Sequence, residues 1–163
     1  MSFRRLGWVV VGFALMLSAG TASAQALAVP YGAPINLEAA KRVAAAAVAE
    51  ARKNNWTMAF AITDPAGELV YFEKMDGTQA ASIGIAQDKS RSSARFKRAT
   101  KVFQDALATG GAELRYLGLA GVVPAEGGIP IVINGAIVGA IGVSGGTGPQ
   151  DAQCATVGVA AVK

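Results

Sequence analysis

The largest concentration of charge in the sequence is a run of cations between residues 89 and 101. Its six members are Lys89, Arg91, Arg95, Lys97, Arg98 and Lys101. If this segment is helical, Arg91, Arg95 and Arg98 share one face, because their spacing is i, i+4 and i+7. Arginine offers paired N–H donors to a carboxylate or phosphate, so the stripe predicts a site for a small anionic ligand. The alternatives are a solvated helix face and a face that pairs with acidic residues of another subunit.

A second candidate anion site is the glycine-rich segment that contains Ser144, Gly145, Gly146 and Thr147. It follows an apolar run and precedes a predicted helix. Free backbone N–H groups and the positive end of a helix dipole make such a junction suitable for an anion. The segment lacks the GK[ST] ending of a nucleotide-binding P-loop. A loop that only turns the chain and caps the helix is the alternative.

A third candidate is the segment EGGIP, in which Glu126 precedes two glycines. The second of them, Gly128, lets the backbone approach a ligand or a neighbouring chain closely. Glu126 is the only carboxylate between Glu113 and Asp151. If the protein is an enzyme, Glu126 is therefore the candidate general base, and Lys89 is a second group that could move a proton. The alternative is a turn with a glutamate on the surface.

Several kinds of chemistry are excluded by composition, because the sequence has one cysteine and no histidine. The missing histidine excludes Ser-His-Asp and Cys-His triads, the HExxH zinc site and haem held by a proximal histidine. A single cysteine excludes an intramolecular disulfide and a four-thiolate metal site. Cys154 falls within the last predicted helix, where it is expected to be a small buried side chain. Nothing in the sequence indicates a stably bound divalent metal.

The N-terminal segment has the three parts of a secretory signal peptide. Arg4 and Arg5 form a basic region, the run Leu6–Ala19 is apolar, and an A-x-A cleavage signal ends at Ala24. An apolar run of this length is too short to span a bilayer comfortably. The sequence therefore predicts a signal peptide over residues 1–24, removed on export.

The mature chain, residues 25–163, has the length of one ordinary domain. Removing the two arginines of the leader lowers the formal net charge from +4 to +2. A nearly neutral exported protein is a poor partner for nucleic acid. We therefore expect a periplasmic or secreted protein with no nucleic-acid partner and no stable membrane span after cleavage.

Hydrophobic periodicity and turn signals predict the elements that must position these residues. Asn36 caps a first helix with alanines at helical spacing, and the pattern around the DPAG turn is typical of a β-hairpin. A helix over residues 79–97 follows, in which Gly84 indicates a close approach, and Thr100 caps a third helix. Asn134-Gly135 joins a second hairpin, and a capping box at Thr147 begins the last helix. The order αββααββα predicts a single α+β domain in which helices cover an antiparallel sheet.

Three segments make the sequence similar to a known family. They are GAPINLEAAKRVAAAAVAEARKNNW, MAFAITDPAGELVYFEKMDG and EGGIPIVINGAIVGAIGVSGGTGPQDAQCATVG. Together they resemble the GlcG/HbpS-type haem-binding family over nearly the whole mature chain. The resemblance implies a profilin-like fold with a sheet of about five strands, helices on both sides, and homo-oligomers from dimers to octamers. It also implies a haem or related tetrapyrrole ligand, since exported members are described as binding haem.

One departure from that family concerns the iron ligand. Members of the family use histidine, whereas this sequence has none. A hydroxyl of threonine or tyrosine, or no axial ligand, would be required. The leading hypothesis is an exported, oligomeric tetrapyrrole-binding protein whose basic residues and Ser144–Gly148 amides receive the propionates. The alternatives are an isomerase- or lyase-type enzyme acting on a small carboxylate metabolite, and a ligand-free structural oligomer.

Overall fold

The computed structural model describes residues 29–162, and the elements follow the predicted order. They are α1 (Leu37–Lys53), β1 (Ala59–Thr63), β2 (Leu69–Lys74), α2 (Ser82–Phe96), α3 (Lys101–Thr109), a 3-10 helix (Gly111–Gly118), β3 (Gly128–Ile133), β4 (Ala136–Ser144) and α4 (Gly148–Ala160). The predicted signal peptide lies outside the described residues. No helix within residues 29–162 is both long and apolar enough to cross a membrane.

The four strands form one antiparallel sheet in the order β2-β1-β4-β3. The Asn134-Gly135 turn has positive φ at both positions, as a tight two-residue hairpin requires. Tyr31 adds an isolated parallel bridge to Ile137, and the Gly32 N–H donates to the Ile137 carbonyl over 2.8 Å. The α+β prediction is confirmed, with four strands and this single bridge in place of about five strands.

Helices α1 and α4 pack on one face of the sheet. Met58, Phe60 and Ile62 alternate towards that face and are completely buried. The alanines of α1 that face the sheet are also fully buried, so the helix lies flat on the strands as its alanine spacing predicts. Helix α1 begins at the predicted cap, where the Asn36 side chain accepts the Ala39 N–H over 2.8 Å.

Helix α2 covers the opposite face and approaches the sheet more closely than a normal side-chain layer allows. A Cβ atom at Gly142 of β4 would overlap the Ala86 carbonyl oxygen and the backbone of Ser90. Small residues therefore line both surfaces, and Ala59 and Ala61 pack against Ala86. The prediction that Gly84 marks a close approach is wrong, because a Cβ atom there would meet nothing within 4 Å.

This contact predicts opposite effects for two glycine-to-alanine changes. Gly142→Ala forces β4 away from α2 and should lower the free energy of unfolding by roughly 1–3 kcal/mol or more. Gly84→Ala in the same layer fills open space on an exposed helix turn, so it should raise that free energy by about 0.5–1 kcal/mol. Urea denaturation followed by circular dichroism measures both. Equal effects would contradict the close contact at Gly142.

Candidate functional site

The most deeply buried charges in the described chain are Lys89 of α2 and Asp151 of α4. The Lys89 ammonium lies 2.7 Å from the Asp151 carboxylate, and the two side chains are 4% and 3% exposed. Lys89 also donates to the Val143 carbonyl at the end of β4 over 3.1 Å. The pair therefore joins two helices that pack on opposite faces of the sheet.

The Asp151 side chain reaches from α4 to the glycine-rich loop that the sequence predicts as an anion site. Its second oxygen accepts the Gly146 N–H over 2.9 Å. The Thr147 N–H donates to the Gln150 side chain over 2.9 Å, as the predicted capping box requires. The N–H groups of Gly146 and Thr147, which were candidate donors to a bound anion, therefore donate to side chains of α4. The Ser144 hydroxyl lies 3.2 Å from the Ser82 hydroxyl at the beginning of α2.

Burial raises the pKa of the Asp151 carboxyl above its ordinary value, while Lys89 and the Gly146 amide oppose that rise. Asp151 is not among the functional residues predicted from the sequence. The helical spacing of α4 could have indicated its role, because Asp151 lies at i, i+4 and i+7 spacing with Ala155 and Gly158 on the buried face. A carboxylate on that face requires a buried cation nearby.

The segment after Glu126 packs tightly against this ion pair. A Cβ atom at Gly127 would lie 3.0 Å from the Lys89 ammonium nitrogen, so the glycine closes over the pair. The Gly128 N–H donates to the Thr100 hydroxyl over 2.9 Å. The Thr100 side chain makes no capping hydrogen bond to α3, contrary to the prediction, since it is bound to β3 instead. Glu126 is half-buried, and its N–H donates to the Gln104 side chain.

The three arginines of the predicted stripe do not share one helix face. Arg91 pairs with Asp88 over 3.1 Å, and the Arg95 Nε donates to the Ala66 carbonyl in the β1–β2 turn over 2.7 Å. Lys97 ends α2 in the left-handed conformation, so Arg98 lies beyond the helix rather than on the same face. Arg91 and Arg95 lie in the second half of α2 and Arg98 follows its end, whereas the glycine-rich loop contacts the beginning of α2 at Ser82.

An aromatic cluster follows that end of α2. The rings of Phe96 and Phe103 lie 5.4 Å apart, and those of Phe103 and Tyr116 lie 5.2 Å apart, all at steep edge-to-face angles. The Arg98 guanidinium lies 5.7 Å from the centre of the Phe103 ring. We name residues 101–119 the aromatic arm.

The aromatic arm also exposes large aliphatic side chains to solvent. Those that are 45–68% exposed are Val102, Leu114, Leu117 and Leu119. No residue of the 3-10 helix is buried, so this helix presents its apolar side chains outward. An exposed apolar surface of this kind is typical of a ligand or protein contact. The sequence patterns predict no element between the third helix and the second hairpin, so they do not indicate this surface.

Three other features bear on ligand binding. A polar, open cleft of about 300 Å³ is lined by Arg52, Glu73, Lys74, Met75 and Asp76, away from Lys89 and Glu126. Within residues 29–162, no three His, Cys, Asp or Glu side chains are grouped so that they could hold a metal ion. Burial raises the pKa of the Cys154 thiol to about 12, which disfavours a thiolate ligand.

The structure thus defines an α+β protein with helices on both faces of an antiparallel sheet, a buried ion pair at a glycine-rich junction, and an exposed aromatic arm. A family model described as "Haem degrading protein HbpS-like" matches residues 35–160. The chain belongs to this HbpS-like family.

Comparison with individual proteins agrees with that assignment. Protein GlcG of Escherichia coli K12 is 35% identical over 110 residues, which are 68% of this chain and 81% of GlcG. The crystal structure of HbpS matches with a TM-score of 0.74 and 29% identity, over 81% of this chain and 92% of HbpS. A PduOC–haem complex matches with a TM-score of 0.73 and 25% identity, over 80% of this chain and 96% of that protein.

The buried pair predicts a large effect of removing one charge. Asp151→Asn leaves the Lys89 ammonium buried without a counterion and should lower the free energy of unfolding by about 3–5 kcal/mol. Asp105→Asn is the matched control, because it removes the partner of Lys101 in an exposed i,i+4 pair. It should change the free energy of unfolding by less than about 1 kcal/mol.

A double variant separates the loss of attraction from the cost of an unpaired charge. Lys89→Met combined with Asp151→Leu removes both charges and should recover most of the stability that Asp151→Asn loses. Denaturant titration of all three variants provides the measurement. If Asp151→Asn is no more harmful than Asp105→Asn, the pair does not hold the helices together.

Proposed function

We propose that this chain is an exported, self-associating protein that binds haem or a related tetrapyrrole on the aromatic arm. Membership of the HbpS-like family and the likeness to a PduOC–haem complex support the class of ligand. The arm supports the location, because it combines exposed aliphatic side chains with aromatic rings and arginines. It is the observation on which this proposal mainly rests.

The side chains of the arm suit the chemistry of a tetrapyrrole. A macrocycle is a flat apolar surface, and Leu114 and Leu117, which are 50% and 68% exposed, could cover one side of it. Its carboxylates need cationic donors, and the guanidinium groups of Arg98 and Arg115 lie next to the aromatic rings. Arg115 pairs with Glu113 over 2.6 Å at an exposed position, so a ligand carboxylate would have to compete with Glu113 there. The Ser144–Gly148 amides are less suitable for this role, because Asp151 already provides an anion there.

Tyr116 is the tyrosine best placed to bind the iron. The hydroxyl of Tyr31 is bound to carbonyls at the end of α2, and the hydroxyl of Tyr71 is bound to Glu73. The Tyr116 hydroxyl instead lies 3.4 Å from a nitrogen of the Arg115 guanidinium. A bound haem would supply an iron, and tyrosine is a side chain that holds haem iron in proteins such as catalase. Arg115 would then stabilise the negative charge on the phenolate oxygen.

The small-carboxylate enzyme has less support from the geometry. Both sides of the Lys89–Asp151 pair are almost fully buried, and the Lys89 ammonium is already bound to Asp151 and the Val143 carbonyl. Glu126 is half-buried and lies beside Gly148, more than an ion-pair distance from Lys89. A substrate would have to displace Gly127 to reach the ammonium group. We therefore do not propose a second function.

Haem titration of the mature chain, followed by the Soret band, tests the proposal. We expect saturation at a fixed haem-to-subunit ratio and a spectrum typical of phenolate ligation. Tyr116→Phe should abolish that spectrum and weaken binding by roughly tenfold, or about 1.4 kcal/mol. Tyr71→Phe removes a hydroxyl bound to Glu73 and should leave both unchanged. A non-saturating response would overturn tetrapyrrole binding, and an unaffected Tyr116→Phe spectrum would overturn the assignment of the ligand.

Export is tested on the full-length chain in a bacterial host with a periplasm. Cleavage after Ala24 should give a periplasmic protein whose first residue is Gln25, as read by N-terminal sequencing or intact mass. Ala24→Asp places a charge at the small-residue position and should leave the precursor uncut. Lys163→Asp, at the other end of the chain, is the control and should be processed normally. An uncut cytoplasmic protein would contradict export.

A further inference from the structure

The part of the aromatic arm that follows α3 has little contact with the rest of the chain. We name residues 112–120 the flap. None of its side chains is buried, and only Glu113 and Tyr116 are half-buried. The Tyr116 ring rests against Phe103 of α3, with 5.2 Å between the ring centres, whereas the Arg115 side chain makes its hydrogen bonds within the flap. A segment that buries so little surface opens at a low cost in free energy.

A glycine with a positive φ lies on each side of the flap. Gly110 joins it to α3 with φ 68° and ψ −156°, a combination that is essentially limited to glycine. Gly121 follows the flap with φ 83°. A Cβ atom at either glycine would meet nothing within 4 Å, so the backbone conformation requires glycine there and packing does not. The two glycines therefore lie where hinges of the flap are expected.

The helix inside the flap also resists a change of shape only weakly. It is a 3-10 helix of eight residues, Gly111–Gly118. Runs of this kind longer than three or four residues are uncommon, because their i→i+3 hydrogen bonds have poorer geometry than those of an α-helix. Neither buried side chains nor strong backbone hydrogen bonds thus fix the flap in its present position.

We propose that the flap closes over the ligand by rotating about Gly110 and Gly121, so that the ligand lies between the flap and α3. This inference rests on the proposed function and concerns how the same site retains and releases its ligand. Leu114 and Leu117 of the flap are 50% and 68% exposed, and Val102 of α3 is 45% exposed. An open surface cannot enclose the 70–90% of a ligand's surface that small-molecule sites commonly bury. Closure brings apolar side chains to both sides of a flat macrocycle.

Closure also links the flap to the iron. Tyr116, the tyrosine proposed to bind it, lies on the flap and moves with it. Release of the ligand then requires the flap to open, so the release rate depends on the hinges as well as on the contacts with the macrocycle. Lids of this kind control ligand exchange in many proteins.

Limited trypsin digestion of the mature chain tests the flap with and without a ligand. In the ligand-free chain we expect the first cut after Arg115, because cleavage requires local opening and the flap buries no side chain. Saturating haem should slow this cut by roughly tenfold, since the protease acts on the open form. Lys53, 75% exposed at the end of α1, is the control site and should be cut at the same rate with and without haem. Mass spectrometry identifies each cut.

A hinge variant tests the same motion without a protease. Gly110→Ala places a Cβ atom on a backbone conformation that alanine does not adopt, so it should displace the flap and raise the rate of haem release by roughly tenfold. Gly135→Ala is the matched control, because Gly135 also has a positive φ and open space around it but lies in the β3–β4 turn. Its release rate should equal that of the unchanged chain. Transfer of haem to an excess of a haem-scavenging protein measures both rates.

The outcomes distinguish the flap from the choice of ligand. Cutting after Arg115 no faster than after Lys53 in the ligand-free chain would overturn the flap. A haem-binding chain in which haem does not protect Arg115, and in which Gly110→Ala and Gly135→Ala release haem equally fast, would overturn the closure and retain the ligand. A chain that is cut first after Arg115 but never saturates with haem would retain the hinged flap and overturn the ligand.

Discussion

The Lys89–Asp151 ion pair is the interaction on which the arrangement of the two helical layers depends. Its partners come from α2 and α4, which cover opposite faces of the sheet, and they meet at the end of β4. Two buried charges are costly to desolvate, so they are retained only where each has its counterion and hydrogen bonds. Here the Val143 carbonyl and the Gly146 amide complete that set. The glycine-rich loop is consequently held by the protein's own carboxylate.

The same end of the molecule is packed with backbone rather than with large side chains. Gly142 allows α2 to lie directly on β4, and Gly127 and Gly128 close over Lys89. Such packing leaves little space for a bound ligand, because protein interiors have few voids and resist expansion. A large flat ligand is therefore better accommodated on the surface, where the aromatic arm exposes Leu114 and Leu117.

The absence of histidine changes the chemistry open to a member of this family. A haem bound as proposed would need a ligand other than histidine, and tyrosine is one that haem proteins use. The Tyr116 hydroxyl lies 3.4 Å from the Arg115 guanidinium, which also pairs with Glu113, whereas Tyr31 and Tyr71 use their hydroxyls in internal hydrogen bonds.

Local features of this fold could be predicted from the sequence, because short-range patterns determine them. The Asn36 cap, the Asn134-Gly135 turn and the capping box at Thr147 all depend on residues within a few positions of each other. The site could not be predicted in the same way. Asp151 meets Lys89 across 62 residues, and the left-handed Lys97 separates Arg98 from the helix. Tertiary packing decided both, because burial and long-range contacts determine which charges are paired inside and which remain available to a ligand.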